Sequence, residues 1–194
     1  MTKTHTRYVL LACSALVSLT LATGAWAADV NKLVEGCAVC HGKEGSNTNA
    51  AIPNIGGYSA AYLTSELKMY KKNDRPCLAM CGAVKDLSNA DIKQIAEYFA
   101  EQKFVRTTQK FDPELAKKGK AIHERSCAMC HSEGGTVAAD DVGILGGQKT
   151  AYISEQLKLF SEGKRPLPKM MKPKLEQLDQ AGIDALINYY GSIK

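Results

Sequence analysis

The sequence predicts an all-α protein: two tandem copies of one small helical domain behind a removable N-terminal leader. Three observations carry this. Apolar residues recur at helical spacing, and no alternating strand pattern is visible. The second half repeats the first at an offset of 90 residues. Two cysteine pairs, each followed by a histidine, occupy the same place in both copies. The chain has 194 residues, is 45% apolar and 23% charged, and carries a formal net charge of +5. That is the profile of an ordinary globular protein.

The leader comes first. Lys3, His5 and Arg7 form a basic start, Val9 to Ala22 is an apolar run of 14 residues, and Ala25-Trp26-Ala27 reads as a small-residue cleavage site. Residues 1–27 are therefore expected to be a signal peptide, directing export to the periplasm. The run is short for a membrane span; a retained anchor and lipid attachment at Cys13 are the weaker alternatives. No stable membrane insertion is expected after cleavage. Removing the leader takes away two basic residues and leaves +3, too little to point to nucleic acid. Lys71-Lys72, Lys117-Lys118 and Arg165 read as solvated surface.

Next comes the repeat. Cys37-Ala38-Val39-Cys40-His41 lies over Cys127-Ala128-Met129-Cys130-His131, Ile55-Gly56-Gly57 over Leu145-Gly146-Gly147, Tyr62 over Tyr152, and Arg75-Pro76 over Arg165-Pro166. After the prolines the offset becomes 91, with Leu87 matching Leu178 and Tyr98 matching Tyr189. The expected domains are 28–104 and 105–194, with a linker near 102–110. Halves of about 80 residues are marginal for an apolar core alone and usually need a metal, a disulfide or a cofactor.

Helices are expected where Leu63, Leu67 and Tyr70, and then Ile153, Leu157 and Phe160, recur at i, i+4, i+7. Each half should end in another, marked by Ile92, Ile95, Ala96 and Phe99, and by Ile183, Leu186, Ile187 and Tyr190. Ser88 with Asp91 forms a candidate capping box and Asp179 a candidate N-cap. Asp112-Pro113-Glu114 opens a helix that should run to the second cysteine pair.

The chemistry sits in Cys37, Cys40 and His41, and in Cys127, Cys130 and His131. C-x-x-C-H is the attachment signature of c-type haem. Two thiols three residues apart on a helical turn point the same way, so they can bond to two vinyl groups on one porphyrin edge. The following histidine then faces the iron. Two haem c groups per chain are expected. A thioredoxin-like pair would need a βαβ setting, and a zinc site would not need histidine at the same place in both copies.

An electron carrier needs a second axial ligand. Met80 is the candidate in the first half. In the second, counting back from the last helix cap selects Met171, and counting forward from His131 selects Met170; the cap is nearer and favours Met171. His123, one turn before Cys127, reads as a surface or interface residue. Cys77 and Cys81 flank Met80 without counterparts in the second half. At i, i+4 their Cα atoms lie within disulfide range, about 6 Å if helical, so they are a disulfide candidate.

These residues resemble the dihaem cytochromes of the cytochrome c4 kind, two class I cytochrome c domains in tandem. Within that group the second half most resembles the cytochrome subunit of flavocytochrome c sulfide dehydrogenase, through Phe111-Asp112, Gly119, His123, Cys127 to His131, Glu133-Gly134-Gly135, Gly147-Gln148, Arg165-Pro166 and Met171; the resemblance covers essentially all of the chain after the leader and is densest after Phe111. The resemblance implies a non-enzymatic electron-transfer protein, a flavoprotein subunit as electron donor, and a soluble acceptor such as a small cytochrome. A free shuttle to a terminal oxidase is the alternative, and a dihaem enzyme a lesser one. It places the second-half ligand at Met171. Pro53, where such domains brace the proximal histidine, is matched by Gly143, so the brace is expected to be missing there.

Overall fold

A computed structural model describes the backbone of residues 24–76 and 79–194, and the side chains of 30–76 and 79–194. All regular structure among the described residues is helical: α1 (Gly24–His41), α2 (Ala60–Lys71), α3 (Met80–Val84), α4 (Asn89–Ala100), α5 (Pro113–Ser126), α6 (Ser132–Gly135), α7 (Thr150–Ser161), α8 (Lys172–Leu175) and α9 (Gln180–Ser192). The expected leader falls mainly on residues 1–23, outside the described residues; 24–27 open α1.

The long helices lie where the apolar spacing places them, and their ends have local causes. Ser88 and Asp91 form the capping box of α4: the Ser88 side chain accepts from Asp91 N, and the Asp91 carboxylate accepts from Ser88 N. Asp112 caps α5 ahead of a proline in its first turn, and Asp179 caps α9. Helix α6 is little more than a turn, because Glu133 and Gly134 have left-handed backbone angles.

The duplication extends to the backbone hydrogen bonds. Ile55 N donates to Gly45 O, as Leu145 N does to Gly135 O; Gly57 N donates to Phe99 O, as Gly147 N does to Tyr190 O. Helix α4 packs on α1 and α2, and α9 packs on α5 and α7. The α5–α9 crossing is the closest: a Cβ at Gly119 would stand 2.0 Å from the Ala185 carbonyl oxygen. Gly119 is thus required by close backbone approach, whereas its first-half counterpart is Asp29.

The halves meet through buried polar contacts that nearly close on themselves. Tyr58 and Gln148 are repeat counterparts, and they touch. Gln148 is fully buried. Its Nε2 donates to Asn54 O (2.7 Å) and Tyr58 Oη (3.0 Å), and its Oε1 accepts from Asn54 N (3.1 Å) and Lys149 N (3.0 Å). Counterparts in mutual contact imply an approximate two-fold relation. Lys149 breaks it. Its buried ammonium donates to Asn47 Oδ1, Asn49 O and Ile52 O in the first half, where its own counterpart is Ser59. Ile144 likewise joins the core of Val34, Tyr58, Leu63, Ile95, Ala96 and Phe99, while the second-half core gathers Ile153, Leu186 and Tyr190. The segment from Lys103 to Lys110 is non-helical and is pinned to both sides: Asn54 Nδ2 donates to Val105 O, and Thr107 N to Gly147 O.

Candidate functional site

Each cysteine–histidine cluster sits where a helix ends. In the first half Cys37, Cys40 and His41 form the last turn of α1. In the second, α5 stops at Ser126, and Cys127 to His131 continue as a turn in which His131 N donates to Cys127 O. All four cysteines are free thiols. Cys37 and Cys127 are half-buried while Cys40 and Cys130 are exposed, and burial pushes the Cys37 and Cys127 thiols up. The residues between the thiols stand out in solvent: Val39 is 85% and Met129 93% exposed.

The histidines differ in their support. His41 is buried, and its Nδ1 lies 3.1 Å from Pro53 O. A carbonyl only accepts, so Nδ1 holds the proton and Nε2 keeps the lone pair a metal needs. His131 Nδ1 is buried with no partner; at the position matching Pro53 stands Gly143, where a Cβ would meet Tyr62 Oη at 2.8 Å. Burial lowers both imidazoles from their ordinary value. At His41 the Pro53 bond opposes this and the Lys149 charge adds to it; at His131 the His123 charge adds and Asp141 opposes. Both rings are therefore neutral at neutral pH and competent as ligands.

Two thiols and one neutral imidazole per half are the donor set for covalent attachment of haem and axial ligation of its iron. Among the described residues no group of three or more His, Cys, Asp or Glu converges as a metal-ion site, so the zinc reading has no geometry behind it. The second half also has a cleft of about 810 Å³ walled by Leu157, Phe160, Leu167, Leu175 and Leu178, with Arg165 at its side. Its lining is mixed, with Lys158, Lys172 and Glu176 beside these apolar walls, and its size suits an organic cofactor with both apolar and charged parts. Bound haem supplies a one-electron couple; the chain's part is to attach it, hold it and set its surroundings.

Met80 opens α3, half-buried, and Met171 immediately precedes α8, also half-buried. Met170 is 76% exposed. Cys81 carries a disulfide bond, and its Sγ lies 3.1 Å from Tyr70 O; Cys77 lies outside the described residues.

Two sequence-based expectations need correction. His123 is not at the surface: it is buried, 3.0 Å from Tyr190 Oη through Nδ1, and packed against the Tyr189 ring. Its partners come from α9, more than sixty residues away, which helix spacing alone does not reveal. Arg165 is not solvated either. It and Arg75, its repeat counterpart, are buried between the halves. Arg75 donates to Glu66 in its own half and to Gln156 Oε1 (2.6 Å) in the other. Arg165 donates to Gln156 Oε1 (2.8 Å) in its own half and to Glu66 Oε1 (3.0 Å) in the other. Arg75 also stacks over Tyr70, and Arg165 over Phe160. Glu66 and Gln156 are themselves counterparts at an offset of 90, so recurrence in both copies was the available signal.

Comparisons with known proteins agree with this geometry. The family described as Cytochrome C oxidase, cbb3-type, subunit III matches residues 114–189. Cytochrome c4 of Pseudomonas aeruginosa is 32% identical over 165 residues, covering 79% of this chain and 81% of that protein. The cytochrome subunit of sulfide dehydrogenase from Chlorobaculum tepidum is 38% identical over 63 residues, 32% of this chain and 56% of that protein. Among solved structures, reduced recombinant cytochrome c4 from Pseudomonas stutzeri superposes with a TM-score of 0.74 at 30% identity, covering 87% of this chain and 98% of that one. Two tandem class I cytochrome domains, two free thiol pairs with their histidines, and relatedness along most of the chain lead to one conclusion: this chain belongs to the cytochrome c4 family and is an electron-transfer protein that carries two haem c groups.

Proposed function

We propose that the protein works in the periplasm as a two-electron shuttle, accepting and releasing electrons singly at its two halves on the way to a terminal oxidase. His41 with Met80, and His131 with Met171, are the axial ligands in this reading, and the halves divide near residue 104. Catalysis belongs to its partners. The carrying observation is that both attachment turns face solvent through an apolar residue, Val39 in one half and Met129 in the other. A partner can therefore reach either attachment edge, and small contacts of this kind suit transient redox encounters rather than permanent assembly.

A second reading is favoured by the match to the sulfide dehydrogenase cytochrome subunit: the chain docks permanently to a sulfide-oxidising flavoprotein and passes electrons on to a small soluble cytochrome. Purification from the native periplasm at moderate salt separates the two. The shuttle elutes alone with two haems per chain by pyridine haemochrome assay. Co-elution with a flavin-containing chain overturns the shuttle reading in favour of the subunit. A value near one haem per chain overturns both.

A further inference from the structure

The contact between the halves holds one charge too many. Arg75 and Arg165 bring two guanidinium groups into the interior, 3% and 7% exposed, and Glu66 is the carboxylate that both of them share. Its repeat counterpart is the neutral Gln156, so the cluster keeps a net positive charge. A buried guanidinium without a counter-charge is costly by several kcal/mol, which calls for an anion. Each arginine also has an Nε–H that is buried and without a partner, and Arg165 lines the cleft of the second half. A carboxylate satisfies both the charge and the orphan donors, and haem itself bears carboxylates on its propionate arms.

We propose that Glu66 is a redox-positioning residue shared by both halves. Its carboxylate holds Arg75 and Arg165 in one buried cluster, and their remaining Nε–H groups take haem carboxylates on either side. The electron affinity of each haem is then set in part by the same charge. The duplicated sequence could have placed Glu or Gln in both copies; one of each leaves a single carboxylate between two haem sites. This rests on the reading that both halves hold haem, and a haem count on the unaltered protein tests that separately.

The test is a pair of opposed substitutions in the full-length holoprotein, read by potentiometric titration of both haems. Glu66→Gln keeps the shape and an acceptor oxygen but removes the negative charge, so both haems should become easier to reduce. A shift of threefold or more in each reduction equilibrium is expected, about 28 mV at about 59 mV per tenfold for one electron. Gln156→Glu adds a charge at the counterpart position and should move both haems the other way. Because the cluster is buried, both shifts should persist in high salt, where surface charges are screened. A shift confined to one haem, or no shift in either variant with two haems still bound, overturns the proposal.

Discussion

Gln148→Leu is the sharpest test of how the halves are held together. Leucine is close in size to glutamine, so the substitution leaves little cavity and mainly removes polar partners. Three groups lose theirs: Asn54 N–H, Asn54 C=O and Lys149 N–H, each bonded to the Gln148 side chain and to nothing else among the described contacts. Tyr58 Oη keeps its bond to Ile144 O. An unpaired buried polar group costs about 1–3 kcal/mol, so three cost roughly 3–9 kcal/mol with no relaxation. Water entering between the halves would relieve part of this, and roughly 3–5 kcal/mol is expected. At about 2–4 °C per kcal/mol for a chain of this size, the melting temperature of the holoprotein should fall by roughly 6–20 °C, with a matching fall in the guanidinium midpoint. A loss below about 1 kcal/mol would show that the Gln148 contacts are not what joins the halves.

Three further outcomes follow from the site. Met171→Ala should remove about half of the weak long-wavelength ferric band that thioether ligation produces, and Met170→Ala should leave it intact; the reverse would move the ligand by one residue. Thiol titration of the unfolded, unreduced holoprotein should find no free cysteine at Cys77 or Cys81, and replacing both with serine should weaken Met80 ligation while sparing the second haem; two free thiols would remove that pairing. The Pro53 bond gives the His41 imidazole a more anionic character and favours ferric iron. The second haem, whose His131 lacks that bond, should therefore have the higher midpoint, by about 20–60 mV if one net hydrogen bond of about 0.5–1.5 kcal/mol is at stake. The Lys149 charge acts on the His41 imidazole in the opposite sense to the Pro53 bond. Equal or reversed midpoints in haem-resolved titrations would refute the argument.

Much of the molecule was legible because its signals are local and occur twice. The helices around Leu63 and Ile153, the Ser88 box and the Asp112 and Asp179 caps need only neighbouring residues to be recognised. The attachment turns announce themselves by spacing. Short α3 and α8 have too few residues to show a period, and α1 merges in sequence with the apolar leader. Arg165 was misread because an isolated arginine is ordinarily solvated, and the carboxylate that draws it inside is 99 residues away. His123 was misread for the same reason: its burial depends on two tyrosines from the end of the chain. The missing brace at His131 was legible from Gly143, but not the close approach of Tyr58 and Tyr62 from the other half, which leaves no room for a side chain at that position.

The unequal trade at Lys149 and Ile144 bears on how the protein is made. In the periplasmic reading, export from the N-terminus delivers the first half before either residue has followed it. Until they arrive, the loop from Asn47 to Ile52 lacks the ammonium that gathers its oxygens, and the core around Phe99 stays open where Ile144 will sit. The Pro53 carbonyl that steadies His41 follows directly on that loop. The first attachment turn is thus presented on a loosely closed scaffold, accessible to whatever machinery joins thiol to porphyrin, and is sealed only when its younger copy folds against it.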